Sequence, residues 1–243
     1  MELGRGDGID RVERVAQCRL KVDATTWRYA SEYAARIEAH WQRRIAQSPA
    51  MFNGVIHLMH SQASKRETFS GLFLRSDFKS YLHWREAGFP EAGVRDGFGS
   101  ALIRSAEGHF VLGRQRAGNI NAGLAYLPGG FIDQRDVMTD GTIDLDGSIV
   151  RELAEETGLT AADVRIAPGT IMTYCGALVA MSREIVSPLS SEQLRGRILA
   201  HIAGDPQSEL IDAVIVRSAA DLGTDAAMHP YARQLLAWLF AQS

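Results

Sequence analysis

Residues 151–159 read R-E-L-A-E-E-T-G-L, and this short segment decides more about the fold than any other part of the chain. Glu152, Glu155 and Glu156 stand at positions i, i+3 and i+4, which share one face of a helix. Three carboxylates held that close repel one another, and a divalent cation between them would offset the repulsion. Because Mg²⁺ prefers oxygen ligands and commonly takes carboxylates together with substrate phosphates, the spacing predicts a metal-binding helix face.

The three glutamates alone would favour a solvated acidic helix face, but the surroundings of this helix favour the metal-binding interpretation. A helix is predicted over residues 148–157, and Gly158 is a suitable left-handed stop for it. It follows a loop that contains Leu127-Pro128-Gly129-Gly130. Since glycine lets the backbone approach a ligand closely, a carbonyl group of this loop can complete a metal shell.

The segment resembles the signature of the Nudix family, called here the Nudix box: Gly, five residues, Glu, seven residues, Arg-Glu, an aliphatic residue, any residue, Glu-Glu, any residue, Gly, an aliphatic residue. The second half matches at Arg151, Glu152, Leu153, Glu155, Glu156, Gly158 and Leu159. The resemblance implies an α/β (α+β) fold class, the Nudix α/β/α sandwich around a mixed sheet. It also implies an enzyme, a pyrophosphohydrolase that cleaves a nucleoside diphosphate derivative to a nucleoside monophosphate and a phosphorylated product.

The first half of the box departs from the family pattern. Gly130 lies 21 positions before Arg151, where the family has 14, so the connecting loop is seven residues longer. Ile143 occupies the position where the family has glutamate. The sequence does not decide which acid, if any, replaces it, because five aspartates lie in or beside this loop: Asp133, Asp136, Asp140, Asp144 and Asp146.

The resemblance also implies roles for individual residues. Glu152, Glu155 and Glu156 would coordinate Mg²⁺, or Mn²⁺, and Gly130 would offer its carbonyl oxygen to the metal. Arg151 would orient the glutamates by ion pairing. The number of metal ions stays open.

Other candidates lie outside the box. Family members often place the general base there, and Glu184 and Glu209 are candidates, of which Glu209 is taken as the predicted catalytic residue; a plain surface carboxylate stays the alternative for each. Arg114 and Arg116 end the strand before the Gly-rich loop and are predicted to bind substrate phosphates, because a guanidinium group suits phosphate oxygens. An exposed arginine that serves solubility is the alternative.

A cluster of glycines between residues 88 and 99 marks a boundary near residue 95. We expect residues 1–94 to form an N-terminal α/β region packed on the catalytic domain, and residues 95–243 to form the Nudix domain. Hydrophobic periodicity predicts helices at residues 26–48, 78–86 and 231–241, and strands at residues 12–22, 55–60, 68–74, 100–105, 109–114, 166–178 and 210–217.

Composition limits the partners and the compartment. The net charge of −3 and the lack of a basic recognition helix argue against a nucleic-acid partner. Cys18 and Cys175 lack metal-ligand spacing, and no stretch is long and apolar enough for a membrane helix, so a cytoplasmic protein is expected. The expected partner is a small nucleoside diphosphate substrate, and a homodimer is left open.

The substrate prediction rests on a wider resemblance. Residues 36–54, 56–61, 70–85 and 188–201, together with the region of Glu209, are similar to a Nudix subgroup of UDP-glucose and UDP-galactose pyrophosphatases that also has a stretched box. This likeness implies a UDP-sugar substrate. The alternatives are an ADP-ribose or coenzyme A pyrophosphatase, or a non-catalytic Nudix-fold protein that senses a nucleotide.

Overall fold

A computed structural model describes residues 10–49, 51–224 and 227–242. The strands are β1 (Arg11–Val15), β2 (Gln17–Val22), β3 (Val55–Lys65), β4 (Thr68–Asp77), β5 (Asp96–Arg104), β6 (Phe110–Gln115), β7 (Ala125–Tyr126), β8 (Gly129–Phe131), β9 (Arg165–Ile166), β10 (Thr170–Cys175), β11 (Leu178–Val186) and β12 (Leu210–Val216). The helices are α1 (Arg28–Glu32), α2 (Ala34–Gln47), α3 (Phe78–Glu86), α4 (Leu145–Thr157), α5 (Ser191–Gly204), α6 (Asp221–Thr224) and α7 (Pro230–Phe240), with a 3₁₀ turn at Gln134–Asp136.

The strands of the described residues form two sheets. Nine strands build the large sheet, with the order β1-β10-β11-β5-β6-β12; the short strands β7, β8 and β9 pair with β6, β5 and β11, respectively. β11 runs parallel to β5, whereas the other pairs of this sheet are antiparallel, so the sheet is mixed as predicted. The small sheet has the order β2-β4-β3.

Helices cover both faces of the large sheet. Successive side chains of a strand point to opposite faces, and on β5 Ala101 and Ile103 enter one core while Leu102 enters the other. The first core also holds apolar side chains of α4 and α5, and the second holds those of α7. The predicted α/β/α sandwich is therefore confirmed.

Helix α4 packs closely on β5. Leu145, Ile149 and Leu153 recur every four residues and form its buried face. A Cβ atom on Gly99 of β5 would lie 2.8 Å from Ile149, so glycine permits the close approach of helix and sheet. The predicted end of the helix is confirmed, because Gly158 adopts a left-handed conformation with φ of 69°.

Two N-terminal elements differ from the prediction because each is divided. The strand expected at residues 12–22 is two strands: β1 pairs with β10 in the large sheet, and β2 pairs with β4 in the small one. The chain changes sheets at Ala16, whose amide, like that of Gln17, donates to the Glu67 carbonyl oxygen. The helix expected at residues 26–48 is likewise divided into α1 and α2 at Tyr33, with Trp27, Ile37 and Trp41 buried.

The elements between residues 165 and 204 differ from the prediction. The single strand expected at residues 166–178 is divided, since this range contains the end of β9, all of β10 and the first residue of β11. β10 and β11 form a hairpin that turns at Gly176, which has a positive φ of 57°. Strand β11, although central in the sheet, was missed beyond residue 178, and helix α5 was missed entirely. None of the helices in the described residues is long and apolar enough to cross a membrane.

Candidate active site

The three box glutamates lie on α4 at different depths. Glu156 follows the buried Leu153 by three residues and shares its inward face, so only 5% of Glu156 is exposed. The Glu152 side chain is 16% exposed and the Glu155 side chain 52% exposed. The predicted helical spacing therefore gives one carboxylate in the interior, one at an intermediate depth and one at the surface.

Two donors, one from β7 and one from β8, hold the carboxylate of Glu156. The Tyr126 hydroxyl donates to one oxygen at 2.5 Å, and the Gly129 amide donates to the other at 3.1 Å. Complete burial raises the pKa of Glu156 well above its ordinary value, and the negative charges of Glu209 and Glu152 raise this pKa further. A buried carboxylate with such neighbours has a strong electrostatic need for a positive partner.

Arg151 contacts Glu152, and its implied role of orienting the glutamates stays a prediction. Its guanidinium group donates to Glu152 at 2.5 Å and lies 3.6 Å from Glu155. Burial nevertheless raises the pKa of Glu152 to about 7, because it outweighs the attraction of Arg151. A Cβ atom on Gly130 would lie 2.7 Å from the Glu152 carboxyl carbon, so only glycine lets β8 pass this close to the carboxylate.

Asp136 is the loop aspartate that lies closest to Arg151. Arg151 donates to the Asp136 carboxylate at 2.9 Å, and Asp136 is 4% exposed. The other oxygen of Asp136 accepts from the Asp133 amide and so caps the 3₁₀ turn. Ile143, by contrast, is buried in the first core. The longer loop therefore returns an acid to Arg151 from another sequence position.

The other four aspartates of the loop have different contacts. Asp133 lies 3.8 Å from Arg151 but pairs more closely, at 2.7 Å, with Arg135. Asp140 accepts from Thr142, Asp144 caps the N-terminus of α4, and Asp146 pairs with Arg183 at 3.1 Å. Among the five candidates, Asp136 is the one that is buried against Arg151.

The two candidates for the general base lie in different places. Glu209 precedes β12 and faces the box, and its pKa is raised by burial and by the negative charge of Glu155. Glu184 lies on β11, where it pairs with Arg104 at 3.0 Å and with Arg14 at 3.9 Å. The structure thus brings Glu209 to the box glutamates, and it places Glu184 in a separate ion-pair cluster.

The two arginines expected to bind phosphate are engaged elsewhere. Arg114 donates to the Gly123 carbonyl oxygen at 2.8 Å. Arg116 donates to the carbonyl oxygens of Ser208 at 2.7 Å and Leu210 at 3.4 Å, and so holds the segment that carries Glu209. Neither side chain lines the cavity beside the box. Their role toward substrate stays a prediction.

A cavity of about 750 Å³ lies beside the box. One side, called here the glutamate wall, presents Glu152, Glu155 and Glu209, with Glu156 behind Tyr126 and Gly129. Another side, called here the aromatic wall, consists of Phe78, Tyr81, Phe98, Phe131 and Tyr231. Because Phe78 and Tyr81 belong to α3, the region before residue 95 contributes directly to this cavity.

Several polar residues of the cavity were missed by the sequence analysis. Arg85 comes from α3, and Arg135 pairs with Asp133 and, at 3.4 Å, with Glu155. Burial raises the pKa of Asp96 to about 6, and burial together with the charge of Arg85 lowers the pKa of His229 to about 4. No local pattern marks these residues, since they meet only in the folded chain; for Arg85 the one available signal was the wider resemblance over residues 70–85.

The chemistry of the glutamate wall fits a divalent cation. The carboxylates raise one another's pKa values, as expected of an anionic cluster that the neighbouring arginines do not fully neutralise. Oxygen-only ligands of this kind suit Mg²⁺. Within residues 10–49, 51–224 and 227–242, however, no three acidic, histidine or cysteine side chains already surround one metal position.

Comparison with known proteins identifies the family. Three solved structures are similar to part of the chain: the MutT protein of Methanosarcina mazei Go1 (23% identity, 60% of this chain, 92% of that chain, TM-score 0.39), the Nudix hydrolase RenU of M. smegmatis (18%, 61%, 87%, 0.40) and a NUDIX hydrolase of Nitrosomonas europaea (15%, 61%, 88%, 0.38). No curated protein gives a significant match. The family model described as NUDIX domain matches residues 94–239, more than half of the chain. The chain therefore belongs to the NUDIX domain family, as an enzyme of the pyrophosphohydrolase class.

Proposed function

We propose that the chain hydrolyses the diphosphate linkage of a UDP-sugar and releases UMP and a sugar 1-phosphate. The observation that carries the hydrolysis is the glutamate wall, where Glu152, Glu155 and Glu209 face one cavity of about 750 Å³ and Glu156 lies just behind. That volume is within the range of small-molecule sites. The choice of a UDP-sugar rests on the resemblance of the sequence segments outside the box.

In this proposal, Glu152, Glu155, Glu156 and the Gly130 carbonyl hold Mg²⁺ or Mn²⁺. The bound metal supplies neutralisation of diphosphate charge and a lower pKa for a coordinated water molecule. Arg151 fixes the orientation of Glu152, since it binds this carboxylate and Asp136 together.

Glu209 is the proposed general base. Its raised pKa makes it a better proton acceptor near neutral pH than an ordinary glutamate. Arg116 supports this role, because it donates to the carbonyl oxygens on both sides of Glu209. The proton of the attacking water would pass to the Glu209 carboxylate.

We further propose that residues 1–94 form an N-terminal region that belongs to the working enzyme, packed on a catalytic domain of residues 95–243. Phe78, Tyr81 and Arg85 line the cavity from this region, and β1 extends the large sheet. Limited proteolysis tests this: removal of the region should abolish turnover, and a stable, active remainder contradicts the proposal. The cytoplasmic location, the lack of a nucleic-acid or membrane partner and a homodimer stay predictions.

The decisive experiment is a turnover assay with UDP-glucose, UDP-galactose, ADP-ribose and coenzyme A, each with Mg²⁺, with Mn²⁺ and with excess EDTA. We expect a higher kcat/KM for UMP release from a UDP-sugar than for AMP release from ADP-ribose, and no turnover in EDTA. A higher kcat/KM for ADP-ribose or coenzyme A contradicts the proposal of a UDP-sugar substrate. If the protein binds these nucleotides but hydrolyses none of them with either Mg²⁺ or Mn²⁺, the alternative of a nucleotide sensor is favoured.

A further inference from the structure

Arg85 is a cation held rigidly beside the aromatic wall. It comes from α3, and its Nη1 donates to the Tyr81 hydroxyl at 3.3 Å. Its Nη2 donates to the Ile120 carbonyl oxygen at 3.0 Å and to the Asn121 side-chain oxygen at 2.8 Å. Because these acceptors lie on two separate parts of the chain, the plane of the guanidinium group is fixed before any ligand arrives.

The contacts of Arg85 leave part of its donor capacity unused. A guanidinium group has five N–H donors, and the hydrogen bonds to Tyr81, Ile120 and Asn121 engage three of them. Within the described residues no carboxylate lies within ion-pair distance of Arg85, although the side chain is half-buried, lines the cavity and lowers the pKa of Asp96 by its charge. The two unused donors, Nε–H and one Nη1–H, are not parallel to each other, so this fixed cation is suited to donate one directed hydrogen bond to an acceptor oxygen of a ligand.

The ligand group that meets Arg85 has to fit beside aromatic rings. Tyr81 and Phe131 pack edge to face with centroids 4.7 Å apart, and Phe98 and Tyr231 pack in the same way at 5.1 Å. These contacts hold the rings of the aromatic wall in place. Tyr81 and Tyr231 are buried, whereas Phe78, Phe98 and Phe131 are partly exposed. Flat π systems stack favourably on exposed aromatic rings, whereas a phosphate group gains nothing from them.

We propose that Arg85 is a specificity-determining residue that donates a hydrogen bond to a carbonyl oxygen at the edge of the substrate's nucleobase. A base with an oxo group at this position accepts this bond. A base with an amino group there presents N–H against N–H, which leaves buried donors on both sides without a partner. The inference rests on the proposed function in taking a nucleotide as the ligand, and it does not depend on the sugar.

The experiment measures binding rather than turnover. The full-length protein is titrated calorimetrically in EDTA with two pairs of nucleotides that differ in oxo against amino, UDP with CDP and IDP with ADP. The pair with the higher affinity is the one to compare. In that pair, the parent protein should bind the oxo nucleotide about tenfold more tightly than the amino nucleotide, a typical effect of one hydrogen bond to a charged group. Arg85→Gln should remove this preference by weakening the oxo member alone.

A second variant and a control separate the sources of the effect. Arg85→Lys keeps the positive charge but loses the fixed plane that directs the guanidinium donor, so it should also lose the oxo preference. Arg95→Gln is the matched control, because Arg95 donates to the Gly176 carbonyl oxygen and does not line the cavity; it should bind like the parent. Apo melting temperatures show whether each variant folds.

The possible results have distinct meanings. An equal loss of affinity for all four nucleotides in Arg85→Gln, with affinity kept in Arg85→Lys, means that Arg85 binds phosphate and overturns the inference. A parent without oxo preference overturns it as well. If IDP and ADP bind more tightly than UDP and CDP while the preference for the oxo nucleotide remains, the UDP-sugar proposal fails and the role of Arg85 is supported.

Discussion

The glutamate wall and the aromatic wall face the same cavity but are built in different ways. Three carboxylates of the glutamate wall come from two turns of α4, and the fourth, Glu209, joins them from the start of β12. The rings of the aromatic wall come from α3, β5, β8 and α7. The comparison indicates that the groups proposed for chemistry are encoded mainly by local helix spacing, whereas the groups proposed for recognition are assembled by tertiary contacts.

The largest expected effect separates metal chemistry from folding on the glutamate wall. Glu156→Gln removes a proposed anionic metal ligand, and loss of one preorganised electrostatic element typically lowers kcat by roughly 10²- to 10³-fold. The neutral amide can still accept from the Gly129 amide and donate to the Tyr126 hydroxyl. The substitution also removes a carboxyl group whose ionisation is costly in the interior. The melting temperature of the metal-free protein should therefore stay unchanged or rise.

The control for this variant is Asp163→Asn, beyond the end of α4. Asp163 accepts from Thr160 and pairs with Arg197 at 2.8 Å, and these partners lower its pKa to about 2. Its substitution should lower the melting temperature slightly and leave turnover nearly intact. If Glu156→Gln retains turnover within a few-fold of the parent, as this control should, the metal-face interpretation is wrong.

An intermediate effect is expected at Asp136, which joins the long loop to the glutamate wall. Asp136→Asn weakens the contact that holds Arg151 and, through it, Glu152. Changes to groups that orient metal ligands typically cost about 10- to 100-fold in activity or metal affinity. Asp140→Asn in the same loop is the matched control, since Asp140 is exposed and accepts only from Thr142. Equal kcat values for the two variants would show that Asp136 does not replace the box glutamate.

The third test concerns the stability of the aromatic wall rather than the reaction rate. The carboxyl group of Asp96 accepts from the Tyr81 hydroxyl at 2.7 Å, and burial raises its pKa from 3.8 to about 6. Its contribution to stability is therefore complete below pH 3.8 and is lost as the pH rises through about 6. Asp96→Asn avoids this loss. Between pH 4 and pH 7, the free energy of unfolding of this variant should therefore rise by up to about 3 kcal/mol relative to that of the parent.

Tyr81→Phe sharpens this comparison. The Tyr81 hydroxyl lowers the pKa of Asp96, so its removal should shift the pH range of the stability loss upward. Melting temperatures of the parent and both variants between pH 4 and pH 8 provide the measurement. A difference between Asp96→Asn and the parent that does not change with pH would contradict the burial of an ionisable carboxyl group.

The sequence by itself determined the features that depend on neighbours along the chain. The spacing of Glu152, Glu155 and Glu156 required only a helix, and the stop at Gly158 required only glycine's access to the left-handed conformation. The similarity to the Nudix box then supplied the α/β/α sandwich. These inferences succeeded because helix geometry fixes which residues share a face.

Tertiary structure decided what depends on residues distant in sequence. Alternating hydrophobicity indicates a strand but not its partner, so the division at Ala16 between two sheets was not visible. The choice of Asp136 among five aspartates depended on where the long loop returns to Arg151. Arg85 reached the cavity only because α3 packs beside it. In each case the deciding interaction joins separate elements, and local sequence patterns do not specify such contacts.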